Sequence, residues 1–291
     1  MSQHPRKPPW IKIQHHRNED FHEVGKMIQS LHLHTVCEEA NCPNRTECYG
    51  NKTATFLILG SVCTRQCKFC NVSKGTPDAI DPQEPQHVAQ ACLHLNLEHA
   101  VITSVTRDDL PDGGAEHFAQ TIHAVRETHP SCSIEVLTPD FQGSASAIAA
   151  VAKAKPEVFN HNIETIPRLY QQVRPGADYK RSLHLLEYVK TLNPSILTKS
   201  GLMVGLGESP KEVESTLRDL HLAQCDAVTI GQYLPPGKDY YPLADYIHPQ
   251  QFEEYRKMAL KIGFKHVASS PLTRSSYHAK NMVHHHQKEE A

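Results

Sequence analysis

The stretch TATFLILGSVCTRQCKFC, residues 53–70, decides the fold class of this chain. Its first eight residues form an apolar, β-rich run that stops at Gly60, which predicts a buried strand. Three cysteines follow at once, Cys63, Cys67 and Cys70, in a C-x3-C-x2-C spacing. In a barrel of parallel strands, residues directly after a strand lie on the rim where active sites are built.

Apolar runs alternate with helical patterns from this strand onward. Val88, Ala91, Cys92 and Leu95 follow the i, i+3, i+4, i+7 period of an amphipathic helix. The runs between the helices lack polar alternation, so we expect both faces of the sheet to be buried. The further predicted strands are HAVITS (99–104), CSIEVLT (132–138), EVFNHNIE (157–164), SILTKSGLMVG (195–205), CDAVTIGQ (225–232) and KHVASS (265–270).

Six strand–helix units predict an α/β fold, a partial (βα)6 barrel of the TIM type. A full eight-unit barrel typically takes about 250 residues, and the stretch 53–270 is shorter than that. We expect an irregular N-terminal extension (1–52), the barrel (53–270) and a C-terminal segment with a polar tail (271–291), the two end segments covering the site. Within the barrel, SPKE (209–212) predicts a helix start with a capping box.

Composition excludes several classes of protein. The 291 residues carry 30 Lys and Arg against 32 Asp and Glu, a formal charge of −2, so no nucleic-acid or membrane-surface patch is expected. No apolar run approaches the roughly 20 residues of a transmembrane helix, and the N-terminus lacks the apolar core of a secretory signal. We expect a cytoplasmic protein with reduced cysteines rather than disulfides. The histidines at 284–286 lie in a polar tail, which favours a solvated end over a metal site.

Six of the nine cysteines form two groups, the first triplet (Cys37, Cys42 and Cys48) and the second triplet (Cys63, Cys67 and Cys70). Zinc takes four tetrahedral ligands, and neither triplet supplies four. Three thiolates on a four-iron cubane leave one iron without a protein ligand, and an open position is typical of catalytic metal sites. The second triplet therefore predicts a reactive 4Fe–4S site. The other cysteines fall inside predicted helices or strands and are expected to be small buried residues: Cys92, Cys132 and Cys225.

A C-x3-C-x2-C triplet after the first strand of a partial barrel resembles the radical S-adenosylmethionine enzymes. In that family the open iron binds S-adenosylmethionine, whose reductive cleavage yields methionine and a 5′-deoxyadenosyl radical. The resemblance narrows to lipoyl synthases because both triplets occur in this order together with further motifs over residues 7–279. These motifs are KPPWIK (7–12), CEEANCPNRTEC (37–48), VITSVTRDDLPDGGAEHF (101–118), FNHNIET (159–165), VRPGADYKRSL (173–183), GLMVGLGE (201–208), TIGQYLPP (229–236) and RSSYHA (274–279).

The resemblance implies a sulfurtransferase that inserts two sulfur atoms at carbons 6 and 8 of a protein-bound octanoyl chain. It implies that the cluster on the second triplet makes the radicals, with two S-adenosylmethionine molecules used per product. The cluster on the first triplet would be the sulfur donor, with a serine oxygen from RSSY as its fourth ligand. We carry that role to Ser276, with Ser275 as the less favoured neighbour. Serine is a poor iron ligand beside thiolate, which suits an iron that must be released.

Several residues at strand ends are expected to contact S-adenosylmethionine, and the resemblance places Phe69 beside its adenine. A satisfied polar rim is the alternative for the hydroxyl, amide and carboxyl groups among them. Whether Arg174, Arg181 or Lys199 pairs with the methionyl carboxylate stays open at this point. So do the amino-group contacts near residues 107–109. The expected contacts are Phe69, Thr103, Asn162, Glu164, Gly201, Met203, Gly205 and Glu208.

The resemblance also implies partners. These are octanoylated lipoyl carrier domains (the E2 subunits of 2-oxoacid dehydrogenases and the glycine cleavage H protein), a ferredoxin or flavodoxin reductant, and iron–sulfur carrier proteins. A biotin-synthase-like enzyme is the nearest alternative, and it would lack CEEANCPNRTEC. An electron-transfer or zinc-binding module is the alternative from another class. Metal analysis separates these, since two cubanes hold about eight irons per chain.

Overall fold

The computed structural model describes residues 6–12 and 18–276, so the tail histidines at 284–286 lie outside the described residues. Its strands are β1 (His34–Thr35), β2 (Thr55–Ile58), β3 (Val62–Cys63), β4 (Ser73–Lys74), β5 (His99–Ser104), β6 (Ser133–Leu137), β7 (Val158–Asn160), β8 (Leu197–Val204), β9 (Ala227–Gln232) and β10 (His266–Ser270). Its α-helices are α1 (Glu19–Ser30), α2 (Val36–Glu39), α3 (Arg45–Gly50), α4 (Glu84–His94), α5 (Ala115–Thr128), α6 (Ala145–Lys153), α7 (Tyr170–Val173), α8 (Tyr179–Leu192), α9 (Pro210–Leu222) and α10 (Pro249–Ile262). Across the described ranges, no helix combines the length and apolar character needed to span a membrane.

The main sheet contains seven parallel strands in the order β2-β5-β6-β7-β8-β9-β10. Each of the six connections between them carries at least one helix, which is the crossover geometry that parallel strands require. Strand β1 pairs with β2 in the antiparallel sense, so β1 and β10 are the two edges of the sheet. The predicted α/β partial barrel of six units is confirmed, and every predicted strand lies where expected, with shorter bounds for β7.

The expectation of an irregular N-terminal extension is wrong for the part that the structure describes. Helix α1 begins after Asn18, whose side chain accepts a hydrogen bond from the Phe21 N–H, and it buries Val24, Met27 and Ile28. These residues follow a helical period that the surrounding charges and histidines obscured. The buried face of α1 and the apolar residues of β2 belong to one hydrophobic core, so the extension packs onto the barrel. The division of the chain near residue 52 stays a prediction.

The predicted start of α9 is confirmed. The Ser209 side chain accepts the Glu212 N–H, and the Glu212 carboxylate accepts the Ser209 N–H in return, which forms a capping box. Three cysteines outside the triplets are buried, as expected (Cys92, Cys132 and Cys225).

The turn that leads out of β2 toward the second triplet is held by buried polar groups. Leu59 has a φ of 68°, a conformation that non-glycine residues adopt rarely. Glu84 accepts the Leu59 N–H at 2.8 Å and bonds to His117 at 2.7 Å, while Arg107 donates to the Leu59 carbonyl at 3.3 Å. Gly114 has a φ of 88°, which favours glycine, and a Cβ there would lie 2.3 Å from a Leu59 methyl group. These contacts fix the direction in which the chain leaves the sheet.

A buried ion pair joins two strands inside the barrel. The Lys199 ammonium lies 2.9 and 3.0 Å from the Glu135 carboxylate oxygens, and both side chains are almost wholly excluded from water. Asn160 donates to the same carboxylate at 2.9 Å. Burial alone would raise the pKa of Glu135, but the Lys199 charge, the nearby His99 and the hydrogen bond from Asn160 lower it to about 2.

We expect Lys199→Met to lower the free energy of unfolding by about 3–5 kcal/mol, because it leaves the Glu135 charge buried without its partner. Adding Glu135→Leu should recover most of that loss, since an apolar pair can replace a buried ion pair. Urea unfolding at neutral pH measures both. The control is Arg218→Met on the exposed face of α9, where loss of the pair with Glu214 should cost less than about 1 kcal/mol.

Lowering the pH should also show how much the Glu135–Lys199 pair contributes to stability. A carboxylate with a lowered pKa in the folded state stabilises the fold above its unfolded value, which is 4.5 for Glu135. That contribution is lost as the pH falls from there toward about 2. The double variant should lose less stability than the wild type over this window. An identical pH dependence in the two proteins would contradict the assignment.

Candidate active site

The second triplet lies in the loop that follows β2, at the C-terminal edge of the parallel strands. Cys63 ends β3, and Cys67 and Cys70 lie between β3 and β4. The backbone N–H groups of Arg65 and Thr106 donate to the Cys63 sulfur at 3.4 and 3.3 Å. Hydrogen bonds to sulfur influence the reduction potential of a bound iron–sulfur cluster. The loop after β5, which contains Thr106, is therefore part of the thiol environment.

The thiols of the second triplet lie close enough to influence one another. Burial raises the pKa of Cys67 and raises that of Cys70 to about 12, and neighbouring thiols in the triplet add to both shifts. The Arg174 charge acts in the opposite direction on Cys67. The thiolate is the metal-binding form of cysteine. A cation near these sulfurs stabilises that form because it offsets their negative charge.

Both triplets offer free thiols, which is the donor set that iron–sulfur clusters use. Among the residues that the structure describes, no three Cys, His, Asp or Glu side chains converge on one point as the ligands of a single ion would. Zinc requires such convergence, whereas the thiolates of a cubane bind different irons and stay apart. The donor set of the two triplets is therefore the one that iron–sulfur clusters use.

Arg65 fastens the loop of the second triplet to two other strand ends. Its guanidinium donates to Asp108 at 2.7 and 2.9 Å and to Asp140 at 2.5 Å, and Asp140 also accepts from Arg181 at 3.2 Å. Although burial opposes it, the hydrogen bond and charge of Arg65 lower the pKa of Asp140 to about 2. The loop is thus tied by charged bonds to the segments after β5 and β6.

The first triplet spans two short helices of the N-terminal extension. Cys37 lies in α2, Cys48 lies in α3, and Cys42 lies in the turn between them. Burial raises the pKa of Cys37 to about 12 and raises that of Cys48 as well, with the neighbouring thiols adding to each shift. Asn44, inside this segment, donates to the Leu272 carbonyl at 2.8 Å across 228 positions of sequence. The structure therefore brings the segment before RSSY to the first triplet.

The RSSY segment also reaches the barrel. Asn162 donates to the Ser275 hydroxyl at 2.7 Å and to Glu164 at 3.0 Å, while the buried Asn162 Oδ1 accepts no hydrogen bond from the described residues. A Cβ on Gly201 would lie 2.6 Å from that Oδ1 and 3.1 Å from the Ser275 hydroxyl, so glycine allows this approach. Arg274 lies within electrostatic reach of both Glu164 and the first triplet.

Burial raises the pKa of Glu164, and the Arg174 charge and the Asn162 bond only partly oppose this. Its backbone has a φ of 66°, which turns the chain after β7. The sequence predicted contacts with S-adenosylmethionine for Asn162, Glu164 and Gly201, and these three residues lie close together in the structure. Their roles toward S-adenosylmethionine stay predictions.

The three basic candidates for the methionyl carboxylate have different surroundings. Lys199 is occupied by Glu135 deep in the barrel, and Arg181 pairs with Asp140. Arg174 donates through Nη1 to the Asn162 carbonyl at 2.8 Å and to the Tyr170 hydroxyl at 2.7 Å. Its buried Nε has no hydrogen-bond partner among the described residues.

An apolar group of side chains flanks the second triplet. Phe69 and Met203 are half-buried and pack against one hydrophobic cluster of wholly buried residues. The structure thus brings together two of the residues that were expected to contact S-adenosylmethionine. The members of the cluster are Ile166, Leu169, Val173, Leu206, Tyr233 and Leu243.

The carboxylate of Glu208 accepts the N–H groups of Gly205 and Leu206 at 2.6 and 2.8 Å. Glu208 therefore shapes the turn after β8, and a cofactor contact from it stays a prediction. A Cβ on Gly205 would lie 2.5 Å from the Asp245 carbonyl, and its φ of 98° also favours glycine. The Thr103 hydroxyl donates to the Leu137 carbonyl at 2.7 Å, while the neighbouring Ser104 hydroxyl is buried without a partner among the described residues.

Sequence reasoning missed Arg65 and Asp140. Asp140 follows β6. Thr103 and Asn162 were chosen because they are polar residues at the ends of apolar runs, and the same signal could have identified Asp140. Arg65 lies between two cysteines of the motif, where nothing in the sequence indicates its partners. The loop near residues 107–109 takes part in the Arg65 clamp, the set of bonds from Arg65 to Asp108 and Asp140. The same loop supports the turn at Leu59, because Arg107 donates to the Leu59 carbonyl.

Comparison with known proteins gives two family matches. The radical SAM superfamily matches residues 57–220, and the N-terminal domain of lipoyl synthase of the radical SAM family matches residues 1–42. Lipoyl synthase from Caldicellulosiruptor saccharolyticus is 56% identical, covering 94% of this chain and 95% of that protein. Lipoyl synthase from Alkaliphilus metalliredigens is 53% identical, covering 97% of each chain.

This chain belongs to the lipoyl synthase family. The N-terminal match decides against the biotin-synthase-like alternative. Membership implies 4Fe–4S clusters and S-adenosylmethionine as cofactors, which agrees with the donor set of the two triplets.

Solved structures support the fold of this lipoyl synthase family member. Methylornithine synthase (PylB) aligns with a TM-score of 0.55 at 13% identity, covering 90% of this chain and 82% of that chain. Streptococcus suis SuiB bound to S-adenosylmethionine aligns with a TM-score of 0.58 at 12% identity, covering 86% of this chain and 61% of that chain.

We expect Arg65→Lys to slow the formation of 5′-deoxyadenosine by about tenfold or more. Lysine keeps the charge but cannot bond to Asp108 and Asp140 in the same forked geometry, and hydrogen bonds to charged groups contribute about 1.5–3 kcal/mol each. Chromatographic assay of 5′-deoxyadenosine measures the rate, and iron content shows whether the clusters are kept. Arg218→Lys, on an exposed helix face, is the matched control and should behave as the wild type. A wild-type rate for Arg65→Lys would show that the clamp is not needed.

Proposed function

We propose that this chain is a lipoyl synthase that inserts two sulfur atoms, at carbons 6 and 8, into an octanoyl chain carried by a protein. The observation that carries the proposal is the presence of two free cysteine triplets, one on the barrel rim and one in the extension packed beside it. Near-complete alignment with lipoyl synthases supports it. When bound, the two clusters and S-adenosylmethionine supply the radical that removes hydrogen from unactivated carbon and the sulfur that replaces it.

The second triplet holds the cluster that binds S-adenosylmethionine, and Phe69, Met203 and Leu206 form an apolar wall next to it. Such a wall excludes water from a reactive site and offers a flat surface to the adenine. Asn162, with its unpaired Oδ1, and the nearby Glu164 add polar atoms after β7. Thr103, Gly201, Gly205 and Glu208 shape the strand ends and turns around them.

We further propose Arg174 as the partner of the methionyl carboxylate. Lys199 and Arg181 are each held by a buried carboxylate, whereas Arg174 is bound by neutral oxygens and keeps its Nε unpaired. A buried guanidinium without a carboxylate partner favours an anionic ligand.

Arg174→Lys should weaken the binding of S-adenosylmethionine about tenfold, because lysine keeps the charge but loses the forked donor geometry. Equilibrium binding to the cluster-loaded chain measures this without turnover. Arg181→Lys removes a forked donor from a neighbouring position and should weaken binding less. If both variants bind as the wild type does, another group holds the carboxylate.

Ser276 is proposed as the fourth ligand of the cluster on the first triplet. The Ser275 hydroxyl is engaged by Asn162, which leaves Ser276 as the better candidate. The chain keeps its proposed three parts, 1–52, 53–270 and 271–291, with the first and last covering the rim. A reducing cytoplasm remains the proposed location.

The family implies an octanoylated carrier protein as substrate. We propose that the carriers are lipoyl domains of the E2 subunits of 2-oxoacid dehydrogenases and the glycine cleavage H protein. A ferredoxin or flavodoxin supplies electrons, and iron–sulfur carrier proteins restore the first cluster. The reaction consumes two molecules of S-adenosylmethionine, one for each carbon–hydrogen bond that is broken.

Replacing cysteines should separate the two roles. We expect Cys→Ala at 63, 67 or 70 to abolish cleavage of S-adenosylmethionine, because the cofactor loses its iron. The same change at 37, 42 or 48 should leave cleavage but abolish sulfur insertion. The assay incubates the reconstituted chain with S-adenosylmethionine, a low-potential reductant and an octanoylated carrier domain. Chromatography measures 5′-deoxyadenosine, and mass spectrometry measures the sulfur gained by the carrier.

Cys225→Ala is the control, since Cys225 is a buried cysteine just before β9, at the N-terminal edge of the parallel strands, whereas the second triplet lies at their C-terminal edge. It should keep both steps. Formation of 5′-deoxyadenosine by any variant of the second triplet would sink the assignment of roles. Stoichiometric zinc without sulfide in the purified wild type would remove the enzyme proposal altogether.

A further inference from the structure

Asn71 directly follows the last cysteine of the second triplet and connects two distant segments. Its Nδ2 donates to the Glu39 carbonyl at 3.0 Å, and its Oδ1 accepts from the Tyr240 hydroxyl at 2.8 Å. Glu39 lies between Cys37 and Cys42 of the first triplet. One amide side chain thus joins the backbone that carries one triplet to the residue next to the other.

The orientation of this amide is determined by its partners. A backbone carbonyl can only accept, so the NH2 group of Asn71 must face Glu39. The opposite oxygen is then left to accept from the Tyr240 hydroxyl. An aspartate at this position could keep the bond to Tyr240 but could not donate to Glu39.

Tyr240 is itself held on the loop of the second triplet. The next residue, Tyr241, donates its N–H to the Lys68 carbonyl at 2.8 Å, and the Lys74 ammonium lies 5.5 Å from the centre of the Tyr240 ring. The segment after β9 is therefore anchored on both sides of Cys70. Asn71 is the point at which this segment, the second triplet and the first triplet meet.

We propose that Asn71 is a positioning residue that fixes the separation between the two triplets and thereby the yield of sulfur insertion per radical formed. The inference rests on the proposed function. A carbon radical made beside one cluster must meet the sulfur of the other before it is quenched, and such encounters depend steeply on placement. Asn71 touches neither the cofactor nor the substrate in this proposal and acts through Glu39.

The test uses the reconstituted enzyme with an octanoylated carrier domain and four variants. Asn71→Ala removes both bonds, Asn71→Asp removes the donor to Glu39, and Tyr240→Phe removes the hydroxyl but keeps the ring over which Lys74 lies. Ser73→Ala, two positions further on at an exposed site, is the matched control. Iron content, 5′-deoxyadenosine, carrier sulfur and the magnetic coupling between the two reduced clusters are measured for each.

We expect Asn71→Ala and Asn71→Asp to keep wild-type iron and to form about five times more 5′-deoxyadenosine per sulfur inserted, the factor that one hydrogen bond represents. The distribution of distances between the clusters, from pulsed electron paramagnetic resonance, should broaden in both. Tyr240→Phe should show a smaller change in the same direction, and Ser73→Ala none.

An unchanged ratio and distance distribution in both Asn71 variants would overturn the proposal. Loss of iron from either triplet would also overturn it, because Asn71 would then support cluster binding rather than spacing. If the wild type inserts no sulfur, the proposed function fails, while the distance measurement still decides the role of Asn71.

Discussion

The site depends on one energetic constraint. Several buried thiols that lie close together must lose their protons, and burying neighbouring negative charges is unfavourable. Burial and mutual repulsion raise the pKa of most of them, so the apoprotein favours neutral thiols. The fold offsets this with cations and N–H donors placed around the sulfurs, notably Arg174 near Cys67 and the amides that point at Cys63. The strand ends, the Arg65 clamp and the glycine contacts serve to hold those groups in place.

The barrel could be predicted from the sequence because its strands are continuous apolar runs buried on both faces. Such runs can be recognised without knowing which strands lie beside them. Gly60 marks the end of the first run. Helix α1 was missed because its apolar stripe is short and lies within a charged, histidine-rich segment. Its stability comes from packing against the barrel core, which a local pattern does not reveal.

The cysteines were predictable because metal ligation leaves a spacing in the sequence. The residues that orient them were not, because their partners lie far away in sequence: Arg65 reaches Asp140, and Asn44 reaches Leu272. The sequence left three basic residues as candidates for the methionyl carboxylate. Their hydrogen-bond partners in the structure distinguish Arg174 from Lys199 and Arg181. Lys199 lies in the same predicted strand as the site glycines, yet its charge points to Glu135 and serves stability.

The bond from Asn44 to Leu272 also has a consequence for biosynthesis. The ribosome releases the first triplet early, and the segment that packs against it emerges after the whole barrel has been made. Until then the bond from Asn44 to Leu272 cannot form. The contacts between the N-terminal segment and the last part of the described chain therefore require the whole barrel to have been made first.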